Sequence, residues 1–387
     1  MNATQWVVWI LLLALLTTVF IYNYTSTYPV LVVPSHRKQN NGKLLPWYNR
    51  TSSVNASDIP RILLWTSFFN SRVLGLSPED DVELPNCHHR CHVTYNRNLL
   101  SSSDAVVFHS RDMNLNDIPS RRAPEQKWVF WCMEPPPYSF YGGFEYIVSM
   151  FNWTMTYRTN SDIPIAYGMF KSKNTGKEER PDIKKSWETK SKSAVWVVSH
   201  CNTDSRREAF VRELRQHIDV DVFGLCGLLK CPQDSNNTCF RRFVKEYYFV
   251  LALENSLCRD YVTEKLFSAL QHVIVPVAMG SVNYSAITPP HSVIDVSSFD
   301  SPKELAGYLH RVKKDFELYK EYLEWKNKYV VQSWVETFCS LCEKLHGEDF
   351  RTYSVYDDML SWWVTDSKCY RWNDDHWRAL RKGAKST

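Results

Sequence analysis

YFVLALENSLCRDYVTEKLFSALQHVIVPVAMG, residues Tyr248 to Gly280, changes its hydrophobic period twice. It opens with an apolar run from Tyr248 to Leu253, passes through a polar turn, and resumes with Val262, Leu266, Ala269, Leu270 and Val273 at helical spacing. A second apolar run closes it. Short apolar runs read as buried strands and the spacing between them as an amphipathic helix, so the stretch is expected to be β-α-β. A crossover of this kind makes a parallel strand pair, and it brings Glu254-Asn255-Ser256 and Thr263-Glu264-Lys265 to the carboxyl end of the sheet, where open α/β sheets bind ligands. Thr263 is the expected N-cap. Free first-turn amides beside Lys265 suit an anion such as a phosphate, and Asn255 and Glu264 suit sugar hydroxyls. The competing reading is a capped core helix with a solvated Glu-Lys pair.

The same alternation extends both ways. Ala194 to Ser199, a helical pattern from Ser205 to His217, and Val220 to Gly224 form a second β-α-β; Val293 to Val296 and a helix from Pro302 to Phe316 follow. Toward the amino end, Ile62 to Trp65, Ala105 to Phe108 and Trp128 to Trp131 are short buried-strand runs. The last continues into Cys132-Met133-Glu134-Pro135-Pro136-Pro137. Prolines cannot continue a ladder, so Glu134 is expected to project from the carboxyl edge into a cleft. Among aromatics such as Trp131 and Tyr138 its pKa would rise, as a general base requires; a loop-capping Glu is the alternative. Lys171 to Lys192, rich in Lys, Glu, Ser and Asn, reads as a solvated connection at a domain boundary.

Leu253-Glu254-Asn255-Ser256 together with Asp260-Tyr261-Val262-Thr263-Glu264-Lys265 resembles the signature of the α1,3-fucosyltransferases, glycosyltransferase family 10, in an invertebrate-like form. The likeness continues through Val275-Pro276-Val277, Asn283-Tyr284 and Pro289 to Asp295, and more weakly through Tyr157 to Ile163 and Tyr167-Gly168, where Asn160 and Ala166 depart from the family pattern. The resemblance implies an inverting enzyme of GT-B fold, with two Rossmann-like domains facing a cleft. It implies GDP-fucose as donor and the 3-hydroxyl of an N-acetylglucosamine as acceptor. In this light Glu134, followed by Pro135 where relatives often carry Ser, resembles the family's base. Arg207 resembles the residue that holds the donor diphosphate, with Arg206 as its rival, and Asn255, Tyr261, Glu264 and Lys265 would hold the rest of the donor. No metal or cofactor is required by this scheme, although divalent-metal stimulation is compatible with it.

A length of 387 residues with 44% hydrophobic content supports sizeable cores in two or three domains, and a formal charge of +4 from interspersed charges lacks the clustered basic face of a nucleic-acid binder. G-x-G-x-x-G and the P-loop pattern are missing, so a hydride-transfer enzyme is unsupported. Asp219-Val220-Asp221 lies inside a predicted strand and reads as structural. Trp6 to Tyr22 is uncharged and apolar except for Thr17 and Thr18, long enough for an uncleaved membrane anchor; a cleaved signal peptide competes, but no A-x-A-like site follows. Beyond the anchor, sequons at Asn23, Asn49, Asn55, Asn152, Asn236 and Asn283 suggest a luminal head, with Asn49 and Asn55 the preferred sites of glycosylation.

The eleven cysteines leave at least one unpaired. Cys87-His88-His89-Arg90-Cys91-His92 with Cys339 and Cys342 has the makings of a zinc site, but an oxidising lumen favours disulfides between the Cys87/Cys91 and Cys339/Cys342 regions, with Cys201 to Cys239 as a further bridge. The trypsophan-rich tail, Trp362, Trp363, Trp372 and Trp377, is expected to pack on the head. The whole reads as a single-pass type II Golgi enzyme: cytoplasmic tail 1–5, anchor 6–22, flexible stem 23–60, acceptor-side domain 61–190, donor domain 191–345 and tail 346–387. The alternatives are a GT-B enzyme using another nucleotide sugar and a Golgi glycan-binding protein without turnover.

Overall fold

The computed structural model describes residues 39–44, 59–140, 143–173, 181–231, 238–333 and 337–373. The expected anchor, Asn49, Asn55 and Trp377 lie outside these residues. Among the described residues no helix is long and apolar enough to cross a membrane. Part of the expected stem is a strand: β1 (Gln39–Leu44) pairs antiparallel with a strand near the carboxyl end, Gln39 opposite Val355. Its sequence has no apolar alternation, so only the availability of a partner edge makes it a strand.

Seven strands then build the first sheet: β2 (Arg61–Leu64), β3 (Asp81–Glu83), β4 (His92–Thr94), β5 (Ala105–His109), β6 (Lys127–Cys132), β7 (Trp153–Thr156) and β8 (Ile163–Pro164), in the order β3-β4-β2-β5-β6-β7-β8. All neighbours are parallel except β3 and β4. Every residue of β5 and β6 is buried, which is why these strands read as unbroken apolar runs.

The connection to the second sheet is more ordered than its charge suggests. β9 (Gly168–Ser172) leaves the first sheet, and α1 (Ile183–Thr189) follows, capped by Asp182 and anchored by the buried Ile183. The second sheet is wholly parallel: β10 (Lys192–Val197), β11 (Val220–Phe223), β12 (Tyr247–Leu253), β13 (Val275–Met279) and β14 (Ile294–Asp295), in the order β11-β10-β12-β13-β14. The crossovers contain α2 (Arg207–Leu214), α3 (Thr238–Glu246), α4 (Glu264–Leu270) and α5 (Tyr284–Ile287), and α6 (Pro302–Lys314) follows β14. The helix expected to reach Phe316 stops at Lys314. Asp315 is extended there and accepts bonds from the backbone N–H groups of Glu317 and Leu318, capping α7 (Phe316–Glu321).

The last part of the chain returns to the first half. β15 (Tyr329–Ser333) pairs antiparallel with β9, and β16 (Thr352–Val355) is the partner of β1. Between them α8 (Thr337–His346) buries Phe338, Leu341, Cys342 and Leu345 in the first core, so this segment packs with the first sheet although the sequence boundary at 345 grouped it with the second. Trp362 and Trp363 enter the same core, while Trp372 enters that of the second sheet. The tail is thereby a strap across both. Arg158 and Asp162 serve it: Arg158 donates to the Trp362 carbonyl, and Asp162 accepts from Thr154 N–H and the Tyr356 hydroxyl, each at 2.9 Å. At Gly168 a Cβ would stand 2.5 Å from the Phe267 ring of α4, so only glycine lets β9 pass that helix.

Cys87 pairs with Cys339 and Cys91 with Cys342, fastening α8 to the β3–β4 region. That bonding removes the thiolates a zinc site would need. Cys201 does not join Cys239. It bonds Cys226, and Cys239 bonds Cys231. The reason is parallel pairing of β10 with β11: the loops leaving their carboxyl ends run side by side, with Cys226 N–H bonded to the Val198 carbonyl at 3.2 Å. A further bridge, Cys258 to Cys369, ties the signature loop to the tail.

Cys132, at the end of β6, is the free cysteine. It is buried, and burial pushes its thiol up to about 12. The thiolate is the reactive form, so a thiol reagent at pH 8 should label no cysteine in the native protein and one after unfolding without reductant. More than one thiol in the unfolded protein would contradict the bonding pattern.

Candidate active site

Glu134 leaves the carboxyl end of β6 as the chain enters Pro135, Pro136 and Pro137. The turn is held from behind: the Tyr167 hydroxyl donates to the Met133 carbonyl at 2.6 Å, and Tyr138 N–H donates to the Pro135 carbonyl. Glu134 is partly exposed, and among the described residues nothing hydrogen-bonds its carboxylate. Burial pushes its pKa above the ordinary carboxylate range, while Lys265 and Arg111 pull the other way and the carboxylates of Glu264 and Glu254 add to the rise. Those influences bring four charged groups from both halves of the chain to one place.

The second half contributes the end of β12 and the start of α4. Glu254, 1% exposed, is the centre of this arrangement. Its Oε1 accepts from Thr263 N–H at 2.8 Å, the Thr263 hydroxyl lies 2.9 Å from Oε2, and Lys265 Nζ lies 3.2 Å from Oε2. Donors converging on both oxygens are the setting of an ionised carboxylate, even though burial pushes its pKa upward. Lys265 Nζ also reaches Thr263 Oγ1 at 2.8 Å and Glu264 Oε1 at 3.2 Å. Burial works against the Lys265 ammonium, but the two carboxylates outweigh it and its pKa is raised.

This corrects one expectation. The amino end of α4 is only partly open as an anion cradle: Glu254 takes the N–H of the capping Thr263, the Thr263 hydroxyl takes the Lys265 N–H at 3.4 Å and the Thr263 carbonyl the Leu266 N–H, which leaves the Glu264 N–H as the first-turn amide without a bond among the described residues. The sequence reading treated Glu254 as one member of a turn and missed that it organises the site; the available signal was a carboxylate at the end of a fully apolar run, which needs donors wherever it is buried.

The remaining residues differ in setting. Glu264 is half exposed and Lys265 partly so. Asn255 is buried, and its Oδ1 has no hydrogen-bond partner among the described residues, as does Ser256 Oγ. An unbonded buried amide oxygen has a place for a donor. Tyr261 lies deeper, 1% exposed and edge-on to Tyr157 at 4.9 Å. Arg207, 3% exposed, donates through its two amino groups to the carbonyls of Leu253, at 2.7 Å, and His200, at 2.9 Å, bracing the end of β12. Its charge is felt at Lys265. Arg206 is exposed, with φ +57°. Two contacts join the halves beside the site: Asp204 N–H donates to the Tyr138 hydroxyl at 3.2 Å, and the Thr159 hydroxyl to Asp260 at 2.7 Å. Arg111, which the sequence reading did not single out, donates to the Tyr138 carbonyl at 2.8 Å.

Two family profiles match the chain, one described as fucosyltransferase, N-terminal, over residues 57–168, the other as glycosyltransferase family 10 (fucosyltransferase) C-term, over residues 187–362. The chain belongs to glycosyltransferase family 10. Glu134 and Arg111 come from the first of the family's two segments, and Arg207, Glu254, Asn255, Glu264 and Lys265 from the second. Among curated members, an alpha-(1,3)-fucosyltransferase C of Drosophila melanogaster is 34% identical, covering 93% of this chain and 89% of its own. A 3-galactosyl-N-acetylglucosaminide 4-alpha-L-fucosyltransferase of Bos taurus is 35% identical over 78% of this chain and 81% of its own. A solved α1,3-fucosyltransferase with GDP-fucose aligns with a TM-score of 0.41 at 19% identity, covering 60% of this chain and 71% of that one.

Replacing Glu254 tests its structural share directly. Glu254→Gln loses an acceptor and leaves a buried donor short of a partner, a loss of about 1–3 kcal/mol. It should lower the midpoint of thermal unfolding, whereas Glu264→Gln, on the exposed neighbour, should change stability by no more than about 0.5 kcal/mol. Equal midpoints for both variants would deny Glu254 its place as the organiser.

Proposed function

We propose that this family 10 fucosyltransferase moves L-fucose from GDP-β-L-fucose to the 3-hydroxyl of an N-acetylglucosamine in a glycan, with inversion at the anomeric carbon. The observation that carries the reading is a carboxylate on one half, Glu134, without a hydrogen-bond partner among the described residues and near enough to Lys265 and Glu264 on the other for their charges to act on it. The curated relatives are named as fucosyltransferases, which supports the donor sugar; an alpha-(1,3)-fucosyltransferase and an N-acetylglucosaminide 3-alpha-L-fucosyltransferase among them support the linkage and the acceptor residue, while the Bos taurus relative is named for a 4-linkage. In GT-B terms the two parallel sheets are two Rossmann-like domains, and the site is the cleft between their carboxyl ends.

Glu134 takes the proton of the acceptor hydroxyl as the oxygen attacks the anomeric carbon, and the bond to GDP breaks on the opposite face. Lys265, held as an ammonium by two carboxylates, offsets the charge gathering on the diphosphate, with Arg207 behind it at the end of β12. Glu264 and Asn255 hold hydroxyls of the donor, and Tyr261 supports the floor on which they stand. The charge is met by fixed cations, so turnover needs no divalent metal, and added metal at most stimulates. The chain sits in the Golgi membrane as a type II protein with its head in the lumen, a reading that five disulfides support because such bonds persist in oxidising compartments.

The test uses the full chain in detergent, GDP-fucose, and a chitobiose-core and a lactosamine acceptor. Glu134→Gln should lower kcat by about 10²- to 10⁴-fold and keep GDP binding, and Lys265→Ala should weaken both. A base works only when ionised, and the pKa of Glu134 is raised. Activity should therefore fall with decreasing pH at an acid limb above the ordinary carboxylate range, and the limb should vanish in Glu134→Gln. Turnover should survive a metal chelator. A parent that binds GDP-fucose but transfers to neither acceptor, or a Glu134→Gln variant with parental kcat, would sink the proposal.

A further inference from the structure

The described residues contain two sequons in very different settings. At Asn152-Trp153-Thr154 all three residues are buried. Asn152 Nδ2 donates to the Ser354 carbonyl at 2.8 Å and Oδ1 accepts from Trp128 N–H at 2.8 Å, so its amide joins the first sheet to the tail. A glycan on that nitrogen would remove the bond and has no space. At Asn283-Tyr284-Ser285 the arrangement is reversed. Asn283 and Ser285 are exposed, and Tyr284 alone is buried. Asn283 caps α5 through Oδ1, which accepts from Ser285 N–H at 3.1 Å and from the Ser285 hydroxyl at 2.7 Å. Its Nδ2 has no partner among the described residues. The cap uses the oxygen and leaves the nitrogen free, so a substituent on Nδ2 is compatible with every bond the residue makes.

We infer that Asn283 is an N-glycosylation site of this protein, and that Asn152 is not. The inference rests on the luminal placement proposed above. Asn283 Nδ2 displaces a lipid diphosphate from C1 of a lipid-linked oligosaccharide: the N–C1 bond forms, the C1–O bond to the diphosphate breaks, and the amide nitrogen loses one proton. The acceptor hydroxyl of the sequon, on Ser285, already stands against the Asn283 side chain. The glycan would rise beyond the carboxyl end of β13, next to Ser281, whose carbonyl accepts from Asp260 N–H at 3.2 Å, and so near the contact of Asp260 with Thr159 that joins the two halves. It is a hydrophilic mass at the rim of the site, clear of the core.

The full chain, expressed in insect cells, is treated with a glycosidase that converts occupied Asn to Asp in heavy-oxygen water, and its peptides are read by mass spectrometry. The expected result is label at Asn283 and none at Asn152. Ser285→Ala should remove one glycan's step in gel mobility and leave the unfolding midpoint unchanged, because the bond from residue 285 N–H to Asn283 Oδ1 survives. Label at Asn49 or Asn55 with a bare Asn283 overturns the inference alone, as does label at Asn152. No label at any sequon overturns the luminal reading and the inference with it.

Discussion

A carboxylate almost without solvent holds this site together. Glu254 follows the central strand of the second sheet, and its two oxygens take the N–H of the α4-capping Thr263, the Thr263 hydroxyl and the Lys265 ammonium. Left unpaired, such a group would carry a large desolvation penalty, so the strand end, the helix start and the lysine are fixed relative to one another. The same contact keeps Lys265 cationic, because Glu254 and Glu264 outweigh the burial that disfavours its charge. Position and charge state of the cation therefore have one cause.

From that point the rest of the molecule can be read as support. Arg207 braces the other side of the strand end by bonding the Leu253 carbonyl. The Cys258–Cys369 bridge fastens the loop between β12 and α4 to the tail, and the tail carries Trp362 and Trp363 into the first core and Trp372 into the second. α8 is stapled to the β3–β4 region by two disulfides. A site assembled from two sheets depends on their spacing, since charge interactions weaken with distance and a shift of an ångström between reacting groups is costly in rate. The strap and the staples hold that spacing.

Glu134 has the opposite environment. Its backbone is pinned by Tyr167 and by the proline turn, while its carboxylate is without a hydrogen-bond partner among the described residues. A group meant to accept a proton is best left without donors, because each would stabilise the charged form and lower its basicity. In the proposed mechanism the two glutamates, one saturated with donors and one without, divide the work of structure and chemistry.

The sequence by itself determined the strands of the second sheet and its helices α2, α4 and α6, though not α3 or α5, because buried parallel strands are unbroken apolar runs and α4 carries its cap and its period in a few adjacent residues. It determined the candidate residues as well, since Glu134, Asn255, Glu264 and Lys265 lie at strand ends or helix starts that local pattern locates. It did not determine β1, β3 or β16, whose residues lack a period and become strands only where an edge is offered. Nor did it determine that α8 belongs to the first core, or that Cys201 meets Cys226, since these follow from which strands are neighbours in space. The role of Glu254 and the exposure that separates Asn283 from Asn152 were decided by the tertiary structure alone. Burial and hydrogen-bond satisfaction are properties of the assembled surroundings, and residues distant along the chain supply them.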